Sequence, residues 1–266
     1  MPRKLPPPRL YKYQPFNAQS LANLKNASIW FSAPTAFNDP FDCALPIVDP
    51  ARLTENDFQR ALEYVKGRRT MTAELIAEMC PDGKPSQRFR EVILKSIDSI
   101  YSARRKLQTT GRGVACFSAK PLDITMWSHY RGFCLEFDTS IEPFSKAFHV
   151  RYSETFPYVN PVDLLVEPDH DDSENELLVA LVLTKAPCWN YEEEWRVMHM
   201  EPSTLFTYDY RALTGIYFGA AMPYAHKEIL SLVLHGAPTT AYEVLQDDQG
   251  FALHAKVVTY QPFEYR

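Results

Sequence analysis

Apolar positions alternate with polar ones in short runs at both ends of the chain and recur at helical spacing in between, which predicts a strand-rich frame interrupted by a helical block. Residues 10–13 and 28–32 read as strands flanking a helix that Asn17 would cap and that runs to about Lys25, with Leu21 and Leu24 on its apolar side. From about 54 to 107 the period changes. Phe58, Leu62 and Val65, then Leu75, Ile76 and Met79, then Phe89, Ile93, Ile97 and Ile100 repeat at helical intervals, broken at Gly67 and across 81–85. Runs at 113–118, 132–138 and 148–152 read as strands; an acidic loop at 167–176 and a helix over 177–184 follow. Beyond a central strand, 215–220 is a further strand, 224–234 a helix and 251–260 a closing strand. The elements predict one α+β domain over 1–266, a mostly antiparallel sheet frame with a helical insertion at about 54–107.

The stretch 185–198 concentrates the polar chemistry. Pro187 and Asn190 punctuate the end of an apolar run, after which Trp195 and Val197 alternate with Glu194 and Arg196 as in a half-buried strand. On such a strand Glu192, Glu194 and Arg196 share one face, so each charge can shift and hold its neighbours. A solvated face carrying an ordinary Glu–Arg pair gives the same pattern. Two further stretches have the same double meaning. Phe37 and Phe41, interleaved with Asn38, Asp39 and Asp42, form either a binding loop or a turn anchored by core rings. Met126, Trp127, Ser128, His129 and Tyr130, between two strand ends, form a pocket wall in which His129 is either a base or a hydrogen-bonded structural residue. The basic cluster of Arg104, Arg105, Lys106 and Arg112 reads as a solvated helix end or a nucleic-acid patch.

Composition narrows the function. A net charge of −5 gives no general attraction to nucleic acid or to an anionic membrane. Nine glycines in 266 residues is sparse, and neither GxGxxG nor GxxxxGK[ST] occurs, so any nucleotide needs a cradle other than a Rossmann or P-loop turn. Cys43, Cys80, Cys116, Cys134 and Cys188 show no CxxC spacing and fit reduced thiols in a cytosol. No signal-peptide core and no run of eighteen apolar residues occurs, so a cytoplasmic protein with no membrane partner is expected.

In order along the chain, Leu10-Tyr11-Lys12-Tyr13, Trp30-Phe31-Ser32, Phe37-Asn38-Asp39-Pro40-Phe41-Asp42, Cys116-Phe117-Ser118, Met126-Trp127-Ser128-His129-Tyr130, Gly132-Phe133-Cys134-Leu135-Glu136-Phe137-Asp138, Tyr191-Glu192 with Glu194-Trp195-Arg196, and Tyr217-Phe218-Gly219 resemble the bacterial domain of unknown function family numbered 2971. Arg131 alone separates Tyr130 from Gly132, where members usually carry a longer loop, often with a second histidine. More distantly, the order of strand, helix, strand ending in Ser and late strand opening with Glu looks like the ADP-ribosyltransferase fold. That resemblance implies NAD as substrate, cleavage of its nicotinamide glycosidic bond, and transfer of ADP-ribose to a protein or nucleic-acid acceptor, as in a toxin, effector or phage-defence component. It implies Glu194 as the carboxylate offsetting the oxocarbenium-like charge, Glu192 as base for the acceptor, and Arg196 as their partner. Tyr11, Lys12, Tyr13, Ser32, Asn38, Asp39 and Phe41 would line the dinucleotide site, with Trp127 or His129 near the nicotinamide.

Two other classes remain open. Glu136 and Asp138 share a strand face, as do Glu192 and Glu194, and convergence of the two pairs would suit Mg²⁺-dependent phosphodiester hydrolysis. Alternatively the Asn38 loop and the Trp127 cluster recognise a nucleotide or protein without turnover.

Overall fold

The computed structural model describes residues 4–43, 49–68, 71–166 and 180–259. Its frame is an eight-stranded sheet in the order β12-β11-β10-β4-β1-β3-β8-β5. The strands are β1 (Arg9–Gln14), β3 (Gly113–Ser118), β4 (Phe133–Asp138), β5 (Phe148–His149), β8 (Glu194–His199), β10 (Leu213–Phe218), β11 (Thr240–Gln246) and β12 (Leu253–Val258). Neighbours are antiparallel except β10 and β11, which pair in parallel across the helix α7 (Tyr224–Val233). The α+β architecture with a mostly antiparallel open sheet is therefore present. Two-stranded ribbons complete it: β2 (Ser28–Phe31) with β9 (Thr204–Thr207), and β6 (Arg151–Tyr152) with β7 (Thr184–Lys185).

Strand alternation sorts the sheet into two faces. Leu10, Phe117, Leu135, Phe137, Trp195 and Val197 point to the main core, which α1 (Ala18–Lys25) closes with Leu24 and α7 closes with Leu230. Tyr13, Cys134 and Tyr217 point to the other face, against Met126 and Trp127. Asn17 caps α1 as its side chain accepts from the Ser20 amide at 2.8 Å.

The helical block is real and slightly longer than its apolar pattern. It comprises α2 (Glu55–Arg68), α3 (Ala73–Met79) and α4 (Gln87–Thr110). Phe58, Leu62, Val65, Met79, Phe89, Ile93 and Ile97 share a separate core with Val162, just before α6 (Asp163–Val166). The turn Pro34–Ala36, which leads into the Asn38 loop, packs on α4 and puts that loop between lobe and sheet. Of the basic cluster, Arg105 and Lys106 are exposed as a solvated end requires, but Arg112 is buried.

Several elements differ from their expected form. Residues 126–130 belong to a helix, α5 (Ile124–Tyr130), capped by Asp123, which accepts from the Met126 amide at 2.9 Å. The single residue after it suffices because Arg131 takes a left-handed conformation (φ 49°) and Gly132 lies where a Cβ would sit 2.1 Å from the Gln14 carbonyl. The strand expected at 148–152 is split between two sheets, β5 pairing with β8 and β6 with β7. Residues 180–182 are helical but 184–185 are strand, and the 3₁₀ turn Pro187–Glu192 intervenes before β8. β9 and β11 carry no clear apolar alternation, being short or diluted by Thr240, Glu243 and Gln246, and were not expected. The acidic loop at 167–176, residues 177–179 and Tyr260 lie outside the described residues.

One irregularity positions everything that follows. β1 pairs with β4 along its whole length and β3 pairs with β8 along its whole length, yet β1 and β3 pair only at Tyr11 and Ser118. Below that level the two halves of the sheet part.

Candidate functional site

β8 opens with Glu194, and alternation puts Glu194 and Arg196 on the face away from Trp195 and Val197. Both are buried, Arg196 completely. Arg196 donates Nη1 and Nη2 to the two oxygens of Asp42 at 2.8 and 2.6 Å, and Nε and Nη2 to those of Glu194 at 2.7 and 3.1 Å. Lys185 of β7 then donates Nζ to Glu194 Oε2 at 3.2 Å and to Glu192 Oε2 at 2.7 Å. Acid and base thus alternate from Asp42 through Arg196, Glu194 and Lys185 to Glu192. Such charges stay buried only when each has an opposite neighbour at hydrogen-bonding distance. A solvated surface pair, the alternative reading of this stretch, is excluded by the burial.

The expected placement of Glu192 is corrected. It lies not on the strand but at the end of the 3₁₀ turn, and Glu193, left-handed at φ 41°, reverses the chain before Glu194. The two carboxyls meet because Lys185 draws them together, not because they share a pleat. Around this chain the Tyr152 hydroxyl accepts the Glu194 amide at 2.9 Å, the Trp189 ring lies 4.5 Å from the Lys185 ammonium, and the Phe37 ring 5.1 Å from the Arg196 guanidinium.

The environment separates the two carboxyls. Burial alone would raise Glu194, but the charges of Arg196 and then Lys185 outweigh it and hold the group at about 2. Glu192 is raised, first by burial and then by the Glu194 charge, which Lys185 only partly offsets. Burial would lower Lys185, but Glu194 and Glu192 together raise it. Burial pushes the Tyr130 and Tyr152 phenols up to about 12.

The charge chain abuts a cavity of about 580 Å³ that occupies the parting of the sheet. Lys12, Tyr13 and Gln14 of β1 line one side, and Val114, Ala115 and Cys116 of β3 the other. Its walls draw on both faces of the sheet, with Leu24 and Ile29 of the main core and Met126 of the opposite cluster. A cavity of this size, lined by rings and by many polar and charged side chains, suits a polar small-molecule ligand. Lys12 is a third cation in its wall, less buried than Arg196 and Lys185. Its Nζ donates to the Cys116 carbonyl at 3.0 Å and sits 5.1 Å from the Phe117 ring; burial lowers its pKa. Among the described residues no carboxylate pairs with it.

Ser32, Asn38, His129, Lys12, Tyr13, Glu192, Glu194 and Arg196 all line this cavity, so eight of the residues singled out by sequence meet in one place. His129 approaches the Tyr191 hydroxyl with Nε2 at 3.4 Å. Four do not line it, and each has a local reason. Tyr11 sits at the level where β1 and β3 still pair, its ring edge-on to Tyr217 at 5.9 Å. Asp39 accepts from the Phe41 amide at 2.9 Å and shapes the turn. Phe41 is largely exposed, 6.4 Å from the Phe156 ring. Trp127 donates Nε1 to the Pro121 carbonyl at 2.8 Å and packs edge-on to Tyr13.

Glu136 and Asp138 do not converge with the other pair, as a shared Mg²⁺ site would require. They lie on β4, which β1 and β3 separate from β8. Glu136 accepts from Thr214 at 2.7 Å and Tyr217 at 2.8 Å, and Asp138 pairs with Arg9 at 2.9 Å. Among the described residues no three His, Cys, Asp or Glu side chains cluster as metal ligands would. Nor is any helix among them long and apolar enough to cross a membrane.

Sequence reasoning gave no role to Lys185 or Trp189, and placed Asp42 only within the Asn38 loop. A lysine closing an apolar run and followed by three glutamates was the available signal, because a buried ammonium must find carboxylates. The chain matches no family model, no curated protein and no solved structure.

Proposed function

We propose that the cavity binds NAD and that the protein is an ADP-ribosyltransferase-like enzyme, cleaving the nicotinamide glycosidic bond and passing ADP-ribose to a macromolecular acceptor. The observation that carries this reading is the charge chain. Three carboxylates alternate with two cations, so a full set of ionised groups leaves one negative charge beside the cavity. Glycosidic cleavage builds positive charge on the sugar, and a fixed carboxylate in a low-dielectric wall is what stabilises it. The parted sheet supports the reading further, since it offers a nucleotide cradle that needs no glycine-rich turn, and the chain has none. Tyr13, Tyr130 and Trp189 supply rings there, and Lys12 supplies an amine that no carboxylate among the described residues holds in an ion pair. The NAD-site roles that resemblance gave to Tyr11, Asp39, Phe41 and Trp127 are not part of this proposal, because they lie away from the cavity.

The test is NAD consumption by the purified chain, with and without protein and nucleic-acid acceptors, beside thermal melts in NAD and in Mg²⁺. The expected outcome is turnover and a raised midpoint in NAD; at a hundred times the Kd, binding contributes about 2.7 kcal/mol. A midpoint that responds to Mg²⁺ and not to NAD would sink the proposal.

A further inference from the structure

We infer that Glu192, and not Glu194, is the carboxylate that meets the ligand, and that Glu194 is a positioning residue acting on it through Lys185. The inference rests on the reading of the cavity as a site of glycosidic cleavage; it keeps Glu192 as the acceptor's base, as resemblance implies, and withdraws Glu194 from contact with the ligand. Glu194 is the more fully engaged of the two carboxylates. Oε1 takes Arg196 Nε, Oε2 takes both Arg196 Nη2 and Lys185 Nζ, and the side chain is 4% exposed. Glu192 is 18% exposed, and apart from the neighbouring Glu194 carboxyl its one partner among the described residues is Lys185, on Oε2. Oε1 is the acceptor that remains.

The position of Glu192 in the chain explains why it is the reactive end. Asp42 and Glu194 share Arg196, and Glu194 and Glu192 share Lys185, so the surplus charge falls to an end of the chain. Asp42, 2% exposed, takes both Arg196 Nη donors, which leaves Glu192 as the end a ligand can reach. Burial and the Glu194 charge raise Glu192, which suits a group that must take up a proton. In the step, the C1′–N bond breaks with its electron pair moving to the ring nitrogen, so the cationic nicotinamide departs neutral. A lone pair of the acceptor oxygen forms the new bond to C1′, and the acceptor's proton passes to Glu192 Oε1 and on to solvent. Charge and atoms balance with one proton released per NAD.

Two kinds of measurement test the assignment. In turnover, Glu192→Gln is expected to lower kcat by about 10²-fold or more, with KM within a few-fold and a melt no lower than the wild type's. Glu194→Gln is expected to lower the melt and to move the acid limb of the kcat/KM profile to lower pH, because the charge that helps raise Glu192 is gone. A purely structural Glu194 would leave that limb in place. A folded Glu194→Gln protein without turnover, beside a Glu192→Gln protein at wild-type kcat, overturns the assignment. Independently of activity, carbodiimide labelling of the folded wild-type chain, mapped by mass spectrometry, is expected to mark Glu192 and spare Glu194. Labelling of Glu194 at the rate of Glu192 or faster overturns the assignment, whether or not NAD is consumed. Selective labelling of Glu192 without NAD turnover supports the assignment and removes the glycosidic reading instead.

Discussion

Glu136 and Glu194 stand at the same level of the sheet: Glu136 is opposite Tyr11, Tyr11 opposite Ser118, and Ser118 opposite Glu194. Both carboxylates are buried, yet their surroundings differ in kind. Glu136 is answered mainly by hydroxyls, those of Thr214 and Tyr217, with Arg9 at 3.5 Å on its open side. Glu194 is answered chiefly by cations, which in turn hold further carboxylates. Hydroxyl donors satisfy a carboxylate locally and end there. Cations pass the problem on, because each needs an acid of its own, so the Glu194 side becomes a chain whose last member reaches the cavity. The sheet thus carries one carboxylate as structure and another as the root of a site.

Breaking that chain at its centre should show the largest effect. Arg196→Met leaves Asp42 and Glu194 as buried, partly unpaired charges and is expected to cost about 3–5 kcal/mol, read as a fall in urea midpoint at constant m. A loss below about 1 kcal/mol would place the pair in solvent after all and remove the contrast with Glu136.

Acid titration separates the members of the chain. Glu194 is held at about 2 in the fold against an ordinary 4.5, so its contribution is fully present above pH 4.5 and lost as pH falls towards 2. The expected loss over that window is on the order of 3 kcal/mol. Glu192 is raised, so its contribution runs the other way: present below its ordinary value and lost as pH rises through its folded one. Denaturation at a series of pH values should therefore show Glu194→Gln flattening the arm below pH 4.5 and Glu192→Gln flattening only the arm above it. An unchanged acid arm in Glu194→Gln would assign the buried charge elsewhere.

These contrasts also mark what the sequence could and could not say. Strands with strict alternation were legible, and so was the helical block, because Phe58 to Ile97 repeats at one period over forty residues of chain. The polar members of the site were legible as residue types: Glu192, Glu194, Arg196, Ser32, Asn38 and His129 all reach the cavity. Their partners were not. Arg196 meets Asp42 across 154 positions, and nothing local in either residue encodes that distance. Glu192 was misplaced on the strand because a left-handed Glu193 leaves no mark in an EEE run. The parting of β1 from β3, on which the cavity depends, comes from a pairing that stops after one register position, and no single strand's pattern records where its neighbour leaves it.

The smallest effect tests the other half of the comparison. Tyr217→Phe keeps the ring, which stacks on Tyr242 at 4.5 Å and meets Tyr11 edge-on, and removes only the hydroxyl that donates to Glu136 Oε2 at 2.8 Å. Thr214 and Arg9 still reach Oε1, so no charge is stranded as it is in Arg196→Met. The expected loss is about 2 kcal/mol, that of one hydrogen bond to a charged acceptor. Because Glu136 and Tyr217 do not line the cavity, NAD consumption and its acid limb should match the wild type. A loss as large as that of Arg196→Met, or a changed pH profile, would mean that the two carboxylates are coupled across Tyr11 and Ser118 and that the sheet carries one charge system instead of two.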